Sequence, residues 1–141
     1  MADPQSVKEW LDLALQHEVA ARELCINSRA AAMGHHHAGF VVECCLKAYI
    51  MWRERLNSWP SIATRRELYT HDLRRLCEIA DIEMDATNEL APAWHVVLEW
   101  DRNQAYDVGL MPTKVALAML EAACGEKGVA SWLRTTLTPH I

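Results

Sequence analysis

The 141 residues contain no C-x-x-C pair, no glycine-rich phosphate loop, no nucleophile elbow, no internal repeat and no alternating strand pattern. Each absence removes a class of function. The five glycines stand apart at 34, 39, 109, 125 and 128 with no G-x-x-x-x-G-K run, so a P-loop nucleotidase is excluded. Without H-E-x-x-H or a Cys/His cluster at ligand spacing, no zinc motif is present. Positive charge is also short: 14 Lys and Arg face 19 Asp and Glu, a net charge of -5. That balance argues against a surface coated for nonspecific duplex binding. Ten of the fourteen cations are Arg, including the pairs Arg65-Arg66 and Arg74-Arg75, so small basic patches still fit inside an acidic whole. No basic region followed by an apolar stretch opens the chain, and Glu43, Lys47 and Glu121 interrupt the longest apolar segments. Neither a signal peptide nor a spanning helix is expected, and a cytoplasmic location away from membranes follows. The odd set Cys25, Cys44, Cys45, Cys77 and Cys124 lies among apolar residues and reads as reduced, packed thiols.

What is present is apolar and helical. Hydrophobic residues make up 51% of the chain, enough for a core in a single domain spanning residues 1–141, and six Trp against three Tyr and one Phe suggest a core, a pocket or an interface built around indole rings. Ser6-Val7-Lys8-Glu9 has the form of a capping box. Trp10, Ala14, His17, Ala21, Leu24 and Ser28 follow at helical spacing, which predicts a first helix running to near Ala32 with Gly34 as its breaker. A second helix is expected over about His36 to Leu56, on a stripe of Val41, Cys45, Ala48 and Trp52. Residues 57–69 read as a loop, in which Trp59 beside Pro60 is placed as exposed or as a lid. Thr70 is the expected cap of a short third helix, and a fourth is expected from near Ala91 to Trp100. Pro112 opens a fifth, with Val115, Met119 and Ala122 inward and a bend or break at Gly125 and Gly128. The fold class is therefore all-α, an up-down bundle of four to five helices.

The candidate chemistry sits at helix ends. His35, His36 and His37 are consecutive, so on a helix they point about 100° apart and cannot converge on one ion without help from His17, or from His71 with Asp72. No metal or other cofactor is expected. Arg102, with Asp101, Asn103, Tyr106 and Asp107 around it, can clamp a phosphate while Tyr or Asp orients a proton or stacks a base. The simpler alternative has Arg102 paired with Asp101, Glu99 or Asp107, pinning a loop. Glu43 and Lys47, four residues apart, likewise read two ways. One is a helix-surface pair worth about 0.2–0.5 kcal/mol. The other projects Glu43 into an interhelical groove to orient Arg102, with Lys47 as a further phosphate contact.

Three pieces in order carry a family resemblance: Ala38-Gly39-Phe40-Val41-Val42-Glu43-Cys44-Cys45-Leu46-Lys47-Ala48-Tyr49, then Thr70-His71-Asp72-Leu73-Arg74-Arg75-Leu76, then Glu99-Trp100-Asp101-Arg102 leading to Tyr106. From Trp10 to about Trp132 the chain resembles the HEPN family of small helical bundles. The resemblance implies a bundle of four or five helices, often a homodimer. Many members are metal-independent endoribonucleases, some of them toxins beside a nucleotidyltransferase-like antitoxin; others bind nucleotides or act as noncatalytic accessory domains. The family's catalytic pattern is an Arg, usually followed by a polar residue, with a His shortly after it. Arg102 and Asn103 match its opening, but the window runs on through Tyr106, Asp107, Val108 and Gly109 with no His. The expectation is thus an accessory or interaction domain that binds a partner protein or a nucleotide. The alternative is a divergent endoribonuclease of toxin-antitoxin type, using Arg102 with Tyr106 or His71 on RNA.

Overall fold

The computed structural model describes residues 2–83, 88–106 and 108–141, and all regular structure among them is helical. Among these residues six α-helices run in the order α1 (Val7–Leu24), α2 (Ala31–Glu54), α3 (Leu73–Ile79), α4 (Ala91–Val97), α5 (Thr113–Cys124) and α6 (Val129–Leu137). Short 3₁₀ turns occupy Arg66–Leu68, Arg102–Tyr106 and Thr138–His140. None of these helices is long and apolar enough to cross a membrane.

The start of α1 follows its sequence signal. Ser6 Oγ accepts the Glu9 backbone N–H at 3.0 Å, and the Glu9 carboxylate returns to the Gln5 N–H at 3.3 Å, so two otherwise orphaned donors are satisfied. Its end does not follow the expectation. The helix stops at Leu24 rather than near Ala32, and a tight turn held by Asn27 Oδ1 on the Arg29 N–H at 2.9 Å leads into α2 at Ala31, five residues before His36. Gly34 is no breaker but an interior residue of α2. A Cβ there would lie 2.5 Å from Cys25 N and 2.7 Å from its Sγ, so the missing side chain lets the turn lie directly on the helix.

The two long helices form an antiparallel hairpin. Lys47 lies near Trp10 at one end, His17 meets His37 in the middle, and Gly34 meets Cys25 at the other. Every residue from Val41 to Ala48 is buried, which requires neighbours on all sides of α2. Here α1, α3, α5, α6 and the Arg102–Tyr106 turn surround it. Burying each large apolar side chain in that helix contributes about 1.5–3 kcal/mol against chain entropy.

The later elements follow the expected order with shifted details. Asp72, not Thr70, caps α3 by accepting the Arg74 and Arg75 N–H groups at 3.0 and 3.3 Å, while Thr70 Oγ1 accepts the Asp72 N–H. Helix α4 ends at Val97, short of Trp100. The chain breaks between α5 and α6, where Gly128 has extended backbone and Ser131 Oγ donates to the Gly125 carbonyl at 2.7 Å. Within α5, Met119 and Ala122 are buried as expected, but Val115 is 42% exposed and Ala116 takes the inward position. Trp59 is neither exposed nor a lid: it is 5% exposed and meets the Trp10 ring edge-on at 5.0 Å. All five cysteines are free and buried, and burial pushes the thiols of Cys45, Cys77 and Cys124 up to about 12.

Candidate functional site

The site is built on one stripe of α2. His36, Phe40, Glu43 and Lys47 follow at four, three and four residues, so their side chains share a face. Glu43 is 2% exposed and Lys47 6%, joined by a 3.1 Å ion pair. The reading of these two as a surface pair is overturned. The Lys47 ammonium sits 5.3 Å from the Trp10 ring centre and 5.8 Å from that of Trp59, which offers it cation–π attraction in place of water. Trp10, from the stripe of α1, and Trp59, expected as exposed or as a lid, thus wall a buried cation. Lys47 faces Glu43 from inside this indole cage, and the structure does not bring it to the surface as a phosphate contact.

His71 is delivered by the turn into α3. The Asp72 cap and the Thr70 bond fix the backbone on its C-terminal side, and the imidazole turns back to α2. Its Nδ1 lies 2.9 and 3.0 Å from the two Glu43 carboxylate oxygens. On the other side of the ring, Nε2 is 2.5 Å from a guanidinium nitrogen of Arg102. A carboxylate only accepts and a guanidinium only donates, so these partners assign Nδ1 as the protonated nitrogen and Nε2 as the acceptor of a neutral ring. Lys47, Glu43, His71 and Arg102 therefore form one continuous polar chain from the core to the surface.

Arg102 opens the 3₁₀ turn Arg102–Tyr106. Asp101 does not pair with it; its Oδ1 accepts the Asn103 N–H at 2.8 Å and so caps the turn. Gln104 Oε1 in return accepts the Asp101 N–H at 3.0 Å. The guanidinium carbon stands 5.2 Å from the centre of the Phe40 ring, and among the described residues no ion pair joins Arg102 to Glu99 or Asp101. The alternative in which Glu43 orients Arg102 directly is corrected too: Glu43 holds His71, and Arg102 lies one step further out. Asn103 is exposed beside Arg102. The Tyr106 side chain and Asp107 lie outside the described residues.

Arg102, His71, Asp72, Arg74, Trp100 and Asn103 line an open cleft of about 550 Å³. A second cleft of about 480 Å³ lies between Leu90 and Trp132, and its one cation, Lys127, is paired with Glu89 at 3.1 Å. The histidine tract adjoins the first cleft from below. His17 Nδ1 is 2.9 Å from His37 Nδ1, the His17 ring stacks on Phe40 at 4.9 Å, and His36 packs against Phe40 and Trp100. Burial first, then the neighbouring imidazoles, holds His17 and His36 below the usual imidazole value. Among the described residues no group of three His, Cys, Asp or Glu side chains is arranged to hold a metal ion.

Sequence reasoning singled out Glu43, His71 and Arg102 but missed Phe40 and the indole cage. The signal was available for Phe40: it is the one Phe of the chain, one turn before Glu43 on the same face. Nothing local marked Trp59, because its partners come from two other elements. No protein-family model, curated protein or solved structure matches the chain.

Proposed function

We propose that this chain is a HEPN-like domain that binds a phosphate-bearing ligand, a nucleotide or an RNA, at Arg102 and His71 in an accessory role. One observation carries the reading: each of the three short pieces behind the resemblance supplies one residue to a single contact chain, Glu43, His71 and Arg102. Arg102 is half-buried at a cleft mouth, held by an imidazole and an aromatic face rather than by a carboxylate. A phosphate oxygen outcompetes a neutral imidazole for a guanidinium, because both partners are then charged. Asn103 adds a neutral donor beside it. In this reading the domain works as a homodimer or beside a nucleotidyltransferase-like partner.

The Glu43–His71 contact favours a second reading, a metal-independent endoribonuclease. An imidazole held at Nδ1 offers Nε2 to a ribose 2′-hydroxyl. O2′ would bond to phosphorus as the P–O5′ bond breaks. The O2′ proton would pass to Nε2, and the leaving 5′-oxygen would take one from water. Incubating labelled RNA and a panel of nucleotides with the wild type, R102A and H71A separates the two. Binding without cleavage, weakened about 10–100-fold in R102A, is the expected result. RNA cut by the wild type and left intact by R102A would overturn the accessory reading. Absence of both binding and cleavage would overturn both.

A further inference from the structure

Resting on the reading that a ligand phosphate meets Arg102 and His71, we infer that Glu43 and Lys47 are positioning residues that fix the proton of His71 on Nδ1 and so present an unprotonated Nε2 to the cleft. Neither touches the ligand. A buried carboxylate and ammonium are an expensive way to fill a helical core, since an apolar pair of the same size packs there as well or better. Their retention here has a visible geometric product. Glu43 is 2% exposed and directs both oxygens to the imidazole of a residue 28 positions away, while His71 itself is 45% exposed on its side chain. Lys47 is enclosed by Trp10 and Trp59 and faces the same carboxylate.

The division of labour follows from charge. Without a cation at its side, a carboxylate this deeply buried would be left uncompensated against the imidazole. A protonated Glu43 could donate to Nδ1 instead of accepting from it, which would invert the ring. An imidazolium would have no lone pair and would repel Arg102. With Lys47 beside it, the Glu43 carboxylate faces Nδ1 as an acceptor, and Nε2 points at the guanidinium. The groups that face the imidazole are Glu43 and, earlier on α2, His36, with Arg102 from the 3₁₀ turn, the Phe40 ring, and Asp72 next to it in sequence.

Nitrogen-15 NMR of the His71 ring reads the tautomer directly, without any ligand. The full chain is compared with E43Q, with E43M/K47M, which leaves no charge stranded, and with the conservative K47R. The wild type and K47R are expected to show a protonated Nδ1 and an unprotonated Nε2 near neutral pH. In E43Q and E43M/K47M the two resonances are expected to converge as the tautomers mix, with AMP or short RNA binding weakened several-fold while circular dichroism stays helical. A wild-type ring protonated at Nε2, or an unchanged tautomer in both variants, would overturn the inference. If E43M/K47M does not fold, E43Q alone decides by the same criterion. Failure of the functional reading is seen separately: the expected wild-type tautomer together with no binding of AMP or RNA would leave the ring's fixation standing and overturn the role assigned to it.

Discussion

Gly39 lies directly under the indole of Trp100: a Cβ added to it would come within 2.1 Å of the ring's Nε1 and Cε2. The contact ties α2 to the segment that delivers Arg102 two residues later, so a missing side chain on one helix sets where the guanidinium of another element stands. G39A should force the indole away, at a cost of about 1–3 kcal/mol from overpacking. The displacement should also move Arg102 off Phe40. Urea unfolding should show the loss with an unchanged slope, and wild-type stability in G39A would refute the close packing.

Stability should fall as the pH drops below about 6.5, the value at which the unfolded chain's histidines take up protons. Burial holds His17, His35, His36 and His37 lower than that in the folded state, with neighbouring imidazoles adding to the effect at His17, His35 and His36. The sign follows: between the two values the unfolded state binds protons that the folded state refuses, so stability present at higher pH is progressively lost. The 2.9 Å contact of His17 with His37 needs one ring to accept, and protonating both would break it. Glu18 sits between opposing influences: burial raises its carboxyl, but Arg134 and Arg22 outweigh that and hold it below 4.5, so the stability it contributes is present above that value and is lost only in more acidic solution. Urea midpoints measured between about pH 7.5 and 5.5 test this, and a flat profile would contradict it.

Removing one member of the Glu43–Lys47 pair should cost far more than removing both. K47M leaves a buried carboxylate without its cation, a loss of about 3–5 kcal/mol. E43M/K47M removes both charges and should recover most of that, because Met fills similar volume between Trp10 and Trp59. Chemical denaturation of the two variants and the wild type measures the difference. A double variant as unstable as K47M would show that the loss comes from packing and not from a stranded charge.

Much of the helical plan was legible in the sequence because helix signals are local. The Ser6 box, the apolar stripe of α1, the Pro112 start of α5 and the break before Val129 all depend on residues within a turn or two of each other. The misplacement of Gly34 has an equally plain cause. A glycine inside a helix and one just after it look the same until a neighbour such as Cys25 is known to press on it. Val115 departs from its expected inward place for the same kind of reason: the periodicity of α5 gives a stripe but not which edge of it meets α2 and α4.

The sequence by itself determined an all-helical chain, an acidic surface, thiols set among apolar residues, and the three residue pieces that carry chemistry. Only the tertiary structure decided that Glu43 and Lys47 are buried, that Trp10 and Trp59 enclose the lysine, and that His71 stands between Glu43 and Arg102. The physical reason is range. Helix periodicity and capping are fixed by neighbours along the chain, whereas the site joins residues 28 and 31 positions apart, and those distances close only when α3 and the Arg102–Tyr106 turn dock on the same face of α2.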